Sequence, residues 1–153
     1  MQIIPYDEDL HKLDFERLNR EWIEREFEIE SHDEAVFASP QEYVITRGGF
    51  IFMAEHADRI VGTCAAIRLG EGVFELAKLA VTGSAQGLGL GRALCEKIIA
   101  EAKRRGAREL IITTNTKLDV ALQLYEKLGF VKAPDKHHER YKRCNLSLVL
   151  PLR

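Results

Sequence analysis

One stretch constrains this chain more than any other: GSAQGLGLG, residues 83–91. It lies between an apolar run at 73–82 that reads as a strand and an amphipathic run at 90–105 that reads as a helix. In the helical run Leu90, Leu94, Ile98 and Ala102 share one face. Lys103, Arg104 and Arg105 lie at its negative end, and Gly106 suits its cap. A strand that turns through glycines into a helix start is a device for holding phosphate. The first N–H groups of the helix lack partners, the helix dipole is positive there, and glycine lets backbone approach an anion. Arg92, in the first turn, adds a side-chain charge.

The rest of the chain supplies the context. A short strand is expected at 2–6 and an amphipathic helix at 9–27, with Phe15, Leu18 and Trp22 on one stripe and Ile23 and Phe27 beside it. A second helix fits 31–37, and Ser39-Pro40 opens a third to Arg47. Strands follow at 50–56 and 60–69, with Asp58-Arg59 at the turn between them. After the glycine loop and its helix come a strand at 109–115, a helix at 118–128 and strands at 130–133 and 141–150. Hairpins first and strand–helix alternation afterwards predict an α/β fold with a mixed, mostly antiparallel central sheet and helices on both faces. No linker or repeat breaks the 153 residues, so a single domain is expected.

Three phosphate motifs compete for the loop. Walker A needs a Gly-Lys pair, and the chain has none. The dinucleotide fingerprint G-x-G-x-x-G fails because Arg92 stands three residues after Gly89, and the next strand ends Thr113-Thr114-Asn115 without the ribose-binding acid. The third pattern, Q/R-x-x-G-x-G/A, is met at each fixed position by Gln86-Gly87-Leu88-Gly89-Leu90-Gly91. With FELAKLAVT before it and LQLYEKLGF (residues 122–130) after it, the stretch 73–131 resembles the GNAT superfamily of N-acetyltransferases.

That resemblance implies a GNAT, or acyl-CoA N-acyltransferase, fold and a set of roles. Acetyl-CoA would be co-substrate, with no metal. Backbone groups of Leu79, Ala80 and Val81 would meet the pantetheine arm. Amides of Gln86, Gly87, Leu88, Gly89, Leu90, Gly91 and Arg92 would hold the pyrophosphate, and Asn115 would contact a pantetheine amide. Tyr125 matches the family's general acid; a tyrosine hydroxyl, at about 10, can protonate a departing thiolate, at about 8.5. Glu75, in the strand before the loop, resembles the glutamate that deprotonates the amine in some members; strand alternation puts it on one face with Leu79 and Val81. Glu30, His32 and Asp33 are lower-ranked bases. The reading is direct acetyl transfer to a primary amine in a ternary complex. The alternative from another class is a non-catalytic acyl-CoA-binding regulatory domain.

Charge and cysteine content set the partners. Lys plus Arg number 22 and Asp plus Glu 24, giving a net −2 that argues against nucleic acid. Local charge is uneven. Residues 16–34 carry eight acids and three bases, which suggests a cationic small-molecule or peptide amine as acceptor, and 132–143 carries five bases and two acids, a match for an anionic cofactor. Adjacent His137 and His138 diverge too much for a metal pair. Cys64, Cys95 and Cys144 are widely spaced, which fits reduced thiols in a cytoplasmic protein rather than a disulfide or zinc framework; Cys64 and Cys95 read as core residues. The acidic start lacks a signal-peptide pattern, and no apolar run is long enough to span a membrane. A homodimer is compatible with the sequence, which does not specify one.

Overall fold

The structure is a computed structural model that describes residues 1–134 and 141–152. The expected elements form with shifts of a residue or two at most ends: β1 (Gln2–Pro5), α1 (Glu8–Glu26), α2 (Ser31–Ala38), β2 (Phe50–His56), β3 (Arg59–Gly70), β4 (Val73–Val81), α3 (Leu90–Arg104), β5 (Glu109–Thr114), α4 (Asp119–Lys127), β6 (Val131–Lys132) and β7 (Leu146–Pro151). The seven strands make one sheet in the order β1-β2-β3-β4-β5-β7-β6. Each neighbouring pair is antiparallel except β4 and β5, which are parallel.

Two apolar layers cover the sheet. On one face Phe15, Leu18 and Ile23 of α1 and Val36 and Phe37 of α2 pack on Ile51, Met53 and Ile67. On the other, Leu90, Leu94, Ile98 and Ala102 of α3 and Tyr125 of α4 pack on Phe52, Leu76, Leu110 and Ile112. The anticipated α3 face is therefore the buried one. In α1 the stripe divides: Phe15, Leu18 and Ile23 enter the core, while Trp22 and Phe27 turn to a cleft described below.

Three differences from the sequence reading have local causes. The segment after Pro40 is a single π-helical turn, Gln41–Ile45, closed by the Thr46 N–H on the Gln41 carbonyl at 2.8 Å. The β2–β3 turn uses Ala57 and Asp58, both with positive φ (52° and 63°), the geometry that matches strand twist in a two-residue hairpin. The last strand starts at Leu146, because residues 141–143 turn toward α2, where Glu30 accepts from the Lys142 N–H and Asp33 from the Arg143 guanidinium. The His137-His138 pair and the middle of the basic stretch lie outside the described residues.

Candidate active site

The glycine loop is built from backbone. After β4 the chain makes a short 3₁₀ turn at Gly83–Ala85, and Gln86 ties it down twice: its N–H donates to the Gly83 carbonyl (3.3 Å) and its Nε2 to the Val81 carbonyl (3.2 Å). The Gln86 amide is thus engaged inside the loop, and the open donors are those further on. Gly87 and Gly89 take φ of 84° and 78°, the left-handed region that side chains resist. A Cβ at either would meet no atom within 4 Å, so backbone conformation, not crowding, demands glycine there. The space in front of the loop is open. Gly89 is the N-cap of α3, and its carbonyl receives the first helical bond from Ala93 at 3.0 Å. The N–H groups of Leu90, Gly91 and Arg92 belong to the first turn and have no intrahelical acceptor. Arg92, half exposed, lies 3.6 Å from Glu96.

Beside the loop the sheet splits. β4 and β5 pair only at Val73–Glu109, Phe74–Leu110 and Glu75–Ile111, although β4 runs on to Val81 and β5 to Thr114. Past Glu75 the parallel ladder ends, which leaves room for an extended ligand whose own amides take its place. A bulge accompanies the split. The register with β3 slips between Thr63–Ala80 and Ala65–Ala77, and Lys78 takes φ of 56°. The extra residue reverses side-chain alternation. Glu75 faces the α1–α2 side with Ala77, whereas Leu79 and Val81 pack on the α3–α4 side. The shared face expected for Glu75, Leu79 and Val81 is therefore incorrect, because strict alternation does not survive a bulge. Open backbone at Gly87 and Gly89 and an unpaired stretch of strand fit a ligand with a pyrophosphate and an amide-bearing arm, as acetyl-CoA has.

Glu75 lies in a small open cleft of about 60 Å³ on the α1–α2 side of the split. It is 3% exposed, and the Thr113 hydroxyl donates to its Oε2 at 2.8 Å. Trp22, Phe27 and Tyr141 supply aromatic walls, and Thr113, Asn115 and Cys144 polar ones. Burial pushes the Cys144 thiol above its ordinary value.

Sequence reasoning missed the cleft's charged wall. Lys78, at the bulge, is buried with its Nζ 2.6 Å from Asp33 Oδ1 and 2.9 Å from the Tyr141 hydroxyl. Arg143 clamps the same carboxylate, Nη1 to Oδ2 at 2.6 Å and Nη2 to Oδ1 at 2.7 Å, and stacks 4.2 Å from the Tyr141 ring. Glu30 accepts from the Lys142 N–H at 2.7 Å and approaches Arg143 Nη1 at 3.4 Å. Burial alone would raise the Asp33 carboxyl, but the Arg143 hydrogen bonds and the Lys78 charge outweigh it and hold it down at about 2. Burial lowers the Lys78 ammonium, and Asp33 opposes that. The signal was a polar residue, Lys78, inside an apolar strand; its partners, 45 and 63 residues away, had no sequence mark.

The lower-ranked bases are thus committed elsewhere: Asp33 and Glu30 to these pairs, His32 to a 3.1 Å contact of Nδ1 with the Tyr43 hydroxyl. Asn115 lines the cleft, but its Oδ1 accepts from the Lys117 N–H (2.9 Å) and its Nδ2 donates to the Arg143 carbonyl (2.6 Å). Tyr125 does not line the cleft with Glu75. It is 6% exposed on the α3–α4 face, 6.0 Å from the Phe130 ring. Burial first, then the nearby Cys95 and Cys64 thiols, push its hydroxyl well above the ordinary tyrosine value. It holds its proton at neutral pH.

Fold, split sheet and loop together define a mixed α/β protein with a glycine-led helix start beside a gap between parallel strands. The Acetyltransferase (GNAT) family pattern matches residues 16–130, and the chain belongs to that family. The fold is that of a GNAT acetyltransferase from Staphylococcus aureus, with a TM-score of 0.90 at 22% identity over 99% of both chains. It is also that of the Salmonella typhimurium protein yncA, solved with its cofactor acetyl-CoA, with a TM-score of 0.73 at 18% identity over 100% of this chain and 94% of that one. Rat N-acetyltransferase 8B is 29% identical over 97 residues, 60% of this chain and 44% of the relative. Mycothiol acetyltransferase of Cellulomonas flavigena is 40% identical over 63 residues, 41% of this chain and 18% of that protein. The chain therefore spans less than half the length of these curated relatives. Among the described residues, no helix is long and apolar enough to cross a membrane.

Proposed function

We propose that this protein is an N-acetyltransferase that moves acetyl from acetyl-CoA to a primary amine by direct transfer in a ternary complex. The observation that carries the reading is the split between β4 and β5, which has Glu75 on one face and the α4 helix with Tyr125 on the other. Family membership and a fold neighbour solved with acetyl-CoA support the donor.

Within this reading the N–H groups of Gly87 to Arg92 bind the pyrophosphate, and the backbone of Leu79, Ala80 and Val81 borders the gap that takes the pantetheine arm. Asn115 keeps one amide hydrogen beyond its bond to Arg143 and offers it to the arm. Glu75 takes a proton from the amine. The amine nitrogen bonds the acetyl carbon, the carbon–sulfur bond breaks, and Tyr125 gives its proton to the sulfur. Its raised pKa keeps the hydroxyl protonated at neutral pH. Cys64 and Cys95 are core thiols in contact across the β3–α3 interface, with burial raising Cys64, and they take no part in transfer.

The test is CoA release from acetyl-CoA with a panel of amines. Tyr125→Phe should lower kcat by on the order of 10²-fold with little change in acetyl-CoA KM. Unchanged turnover removes Tyr125 as the acid. Tight acetyl-CoA binding without release to any amine favours the non-catalytic acyl-CoA-binding reading instead.

A further inference from the structure

We infer that the acceptor is a short monoamine, one positive charge on an apolar body, and that amines with a second positive charge are turned away. The inference rests on the transferase reading above and names the substrate class of that same cleft.

Three observations carry it. The first is how the acidic stretch is engaged. Its composition suggested a field for a polycation, yet most of its carboxylates are already paired. Glu16 and Glu34 bind Arg20, Glu26 lies beside Lys117 and Arg25, Glu21 caps the Gly83 N–H at 3.1 Å, and Asp33 and Glu30 hold Lys78 and Arg143. The second is the sign of the buried wall. Lys78 and Arg143 bring two positive charges, and Asp33 and Glu30 two negative ones, so the wall has no charge in reserve. Of these four groups only Lys78 and Arg143 line the cleft, so with Glu75 facing the reacting amine a second ammonium would sit against two cations without a carboxylate of its own. The third is the remaining wall: Trp22 and Phe27 in edge-to-face contact at 6.4 Å, with Ala77 and Leu118. These are surfaces for carbon, and the small cleft between them, open to solvent on one side, suits a short chain.

Trp22 is therefore a specificity-determining residue. It is only half buried and its indole N–H makes a long 3.3 Å bond to Asn19 Oδ1, so the fold does not depend on it as it does on Phe15.

The experiment measures kcat/KM for isopentylamine and spermidine with saturating acetyl-CoA; isopentylamine carries one ammonium group and spermidine three. The expected result is isopentylamine ahead of spermidine by at least tenfold. Trp22→Ala should lower kcat/KM for isopentylamine by about tenfold through KM, with acetyl-CoA KM within twofold, and Trp22→Phe should restore most of it. Spermidine turned over as well as isopentylamine overturns this inference and leaves the transferase reading intact. No release of CoA with either of the two or with any other amine defeats both.

Discussion

The two halves of the site are made of different material. The glycine loop is exposed backbone, contiguous in sequence, with its conformation written in Gly87 and Gly89. The charged wall is buried side chain, assembled from Glu30, Asp33, Lys78, Tyr141 and Arg143 on three separate segments. The loop's groups already meet water when no ligand is bound, so altering them costs little folding energy. The wall's charges have left water and depend on one another. The loop should thus fail in binding before it fails in stability, and the wall should do the reverse.

The largest expected effect is at Asp33, which is 0% exposed and answers two cations. Asp33→Ala leaves Lys78 and Arg143 buried without their shared partner. Breaking a buried pair from one side costs roughly 3–5 kcal/mol. For a chain of this length that is a fall in melting temperature on the order of 10 °C. A shift under 2 °C, read by calorimetry, would show that the wall is not structural and collapse the contrast.

The same carboxyl gives a pH signature of smaller size. Its folded pKa is about 2 against an ordinary 3.8, so the folded state prefers the ionised form. The contribution is fully present above pH 4 and is lost as pH falls toward 2. Its magnitude is about 2 kcal/mol. Denaturant midpoints should fall between pH 4 and pH 2 in the wild type, and the Asp33→Asn variant should lack that share of the decline. Equal slopes in the two proteins would remove Asp33 from the linkage.

The difference in material also explains what could be read from sequence. The loop was legible because a φ of 78° needs glycine and therefore leaves a letter in the chain. The order of strands and helices was legible from apolar periodicity, as the buried face of α3 illustrates. The wall was not, because nothing local links Asp33 to Lys78 or Arg143; a bulge aims Lys78 at α2, and a break in β7 brings Arg143 over it. The bulge also defeated the one inference that relied on strict alternation, the face of Glu75 relative to Leu79 and Val81. Tyr125 was legible as a residue, but its separation from the Glu75 cleft by the thickness of the sheet was not.

A loop change should have the opposite signature. Gly89→Ala forces a Cβ into the left-handed region, at about 1–2 kcal/mol, with no clash because nothing lies within 4 Å. Melting should fall by only a few degrees. Acetyl-CoA KM should rise about tenfold, since the methyl projects into the open space before the helix start and the N–H groups behind it tilt. A melting loss as large as that of Asp33→Ala, with KM unchanged, would reverse the assignment of the two halves.

The smallest effect tests whether the halves are joined. Glu21 of α1 reaches the loop, accepting from the Gly83 N–H at 3.1 Å and, at 3.3 and 3.4 Å, from the Thr82 hydroxyl. It thereby ties the end of β4 to the helix that also carries Trp22 into the cleft. Two opposed consequences follow from removing it. The loop loses a tether, which weakens acetyl-CoA binding, and it loses a negative charge near an anion site, which strengthens it. Glu21 is exposed, so salt screens the charge term over about 8 Å at physiological ionic strength, while the positional term persists. At 0.15 M salt Glu21→Ala should raise acetyl-CoA KM by about two- to threefold, a few tenths of a kcal/mol as exposed polar contacts usually give. At 10 mM salt the charge term grows and the rise should shrink or change sign. A KM rise that is the same at both salt concentrations would mean that Glu21 acts by position alone. No change at either would separate the loop from α1 and leave the two halves of the site joined only through the sheet.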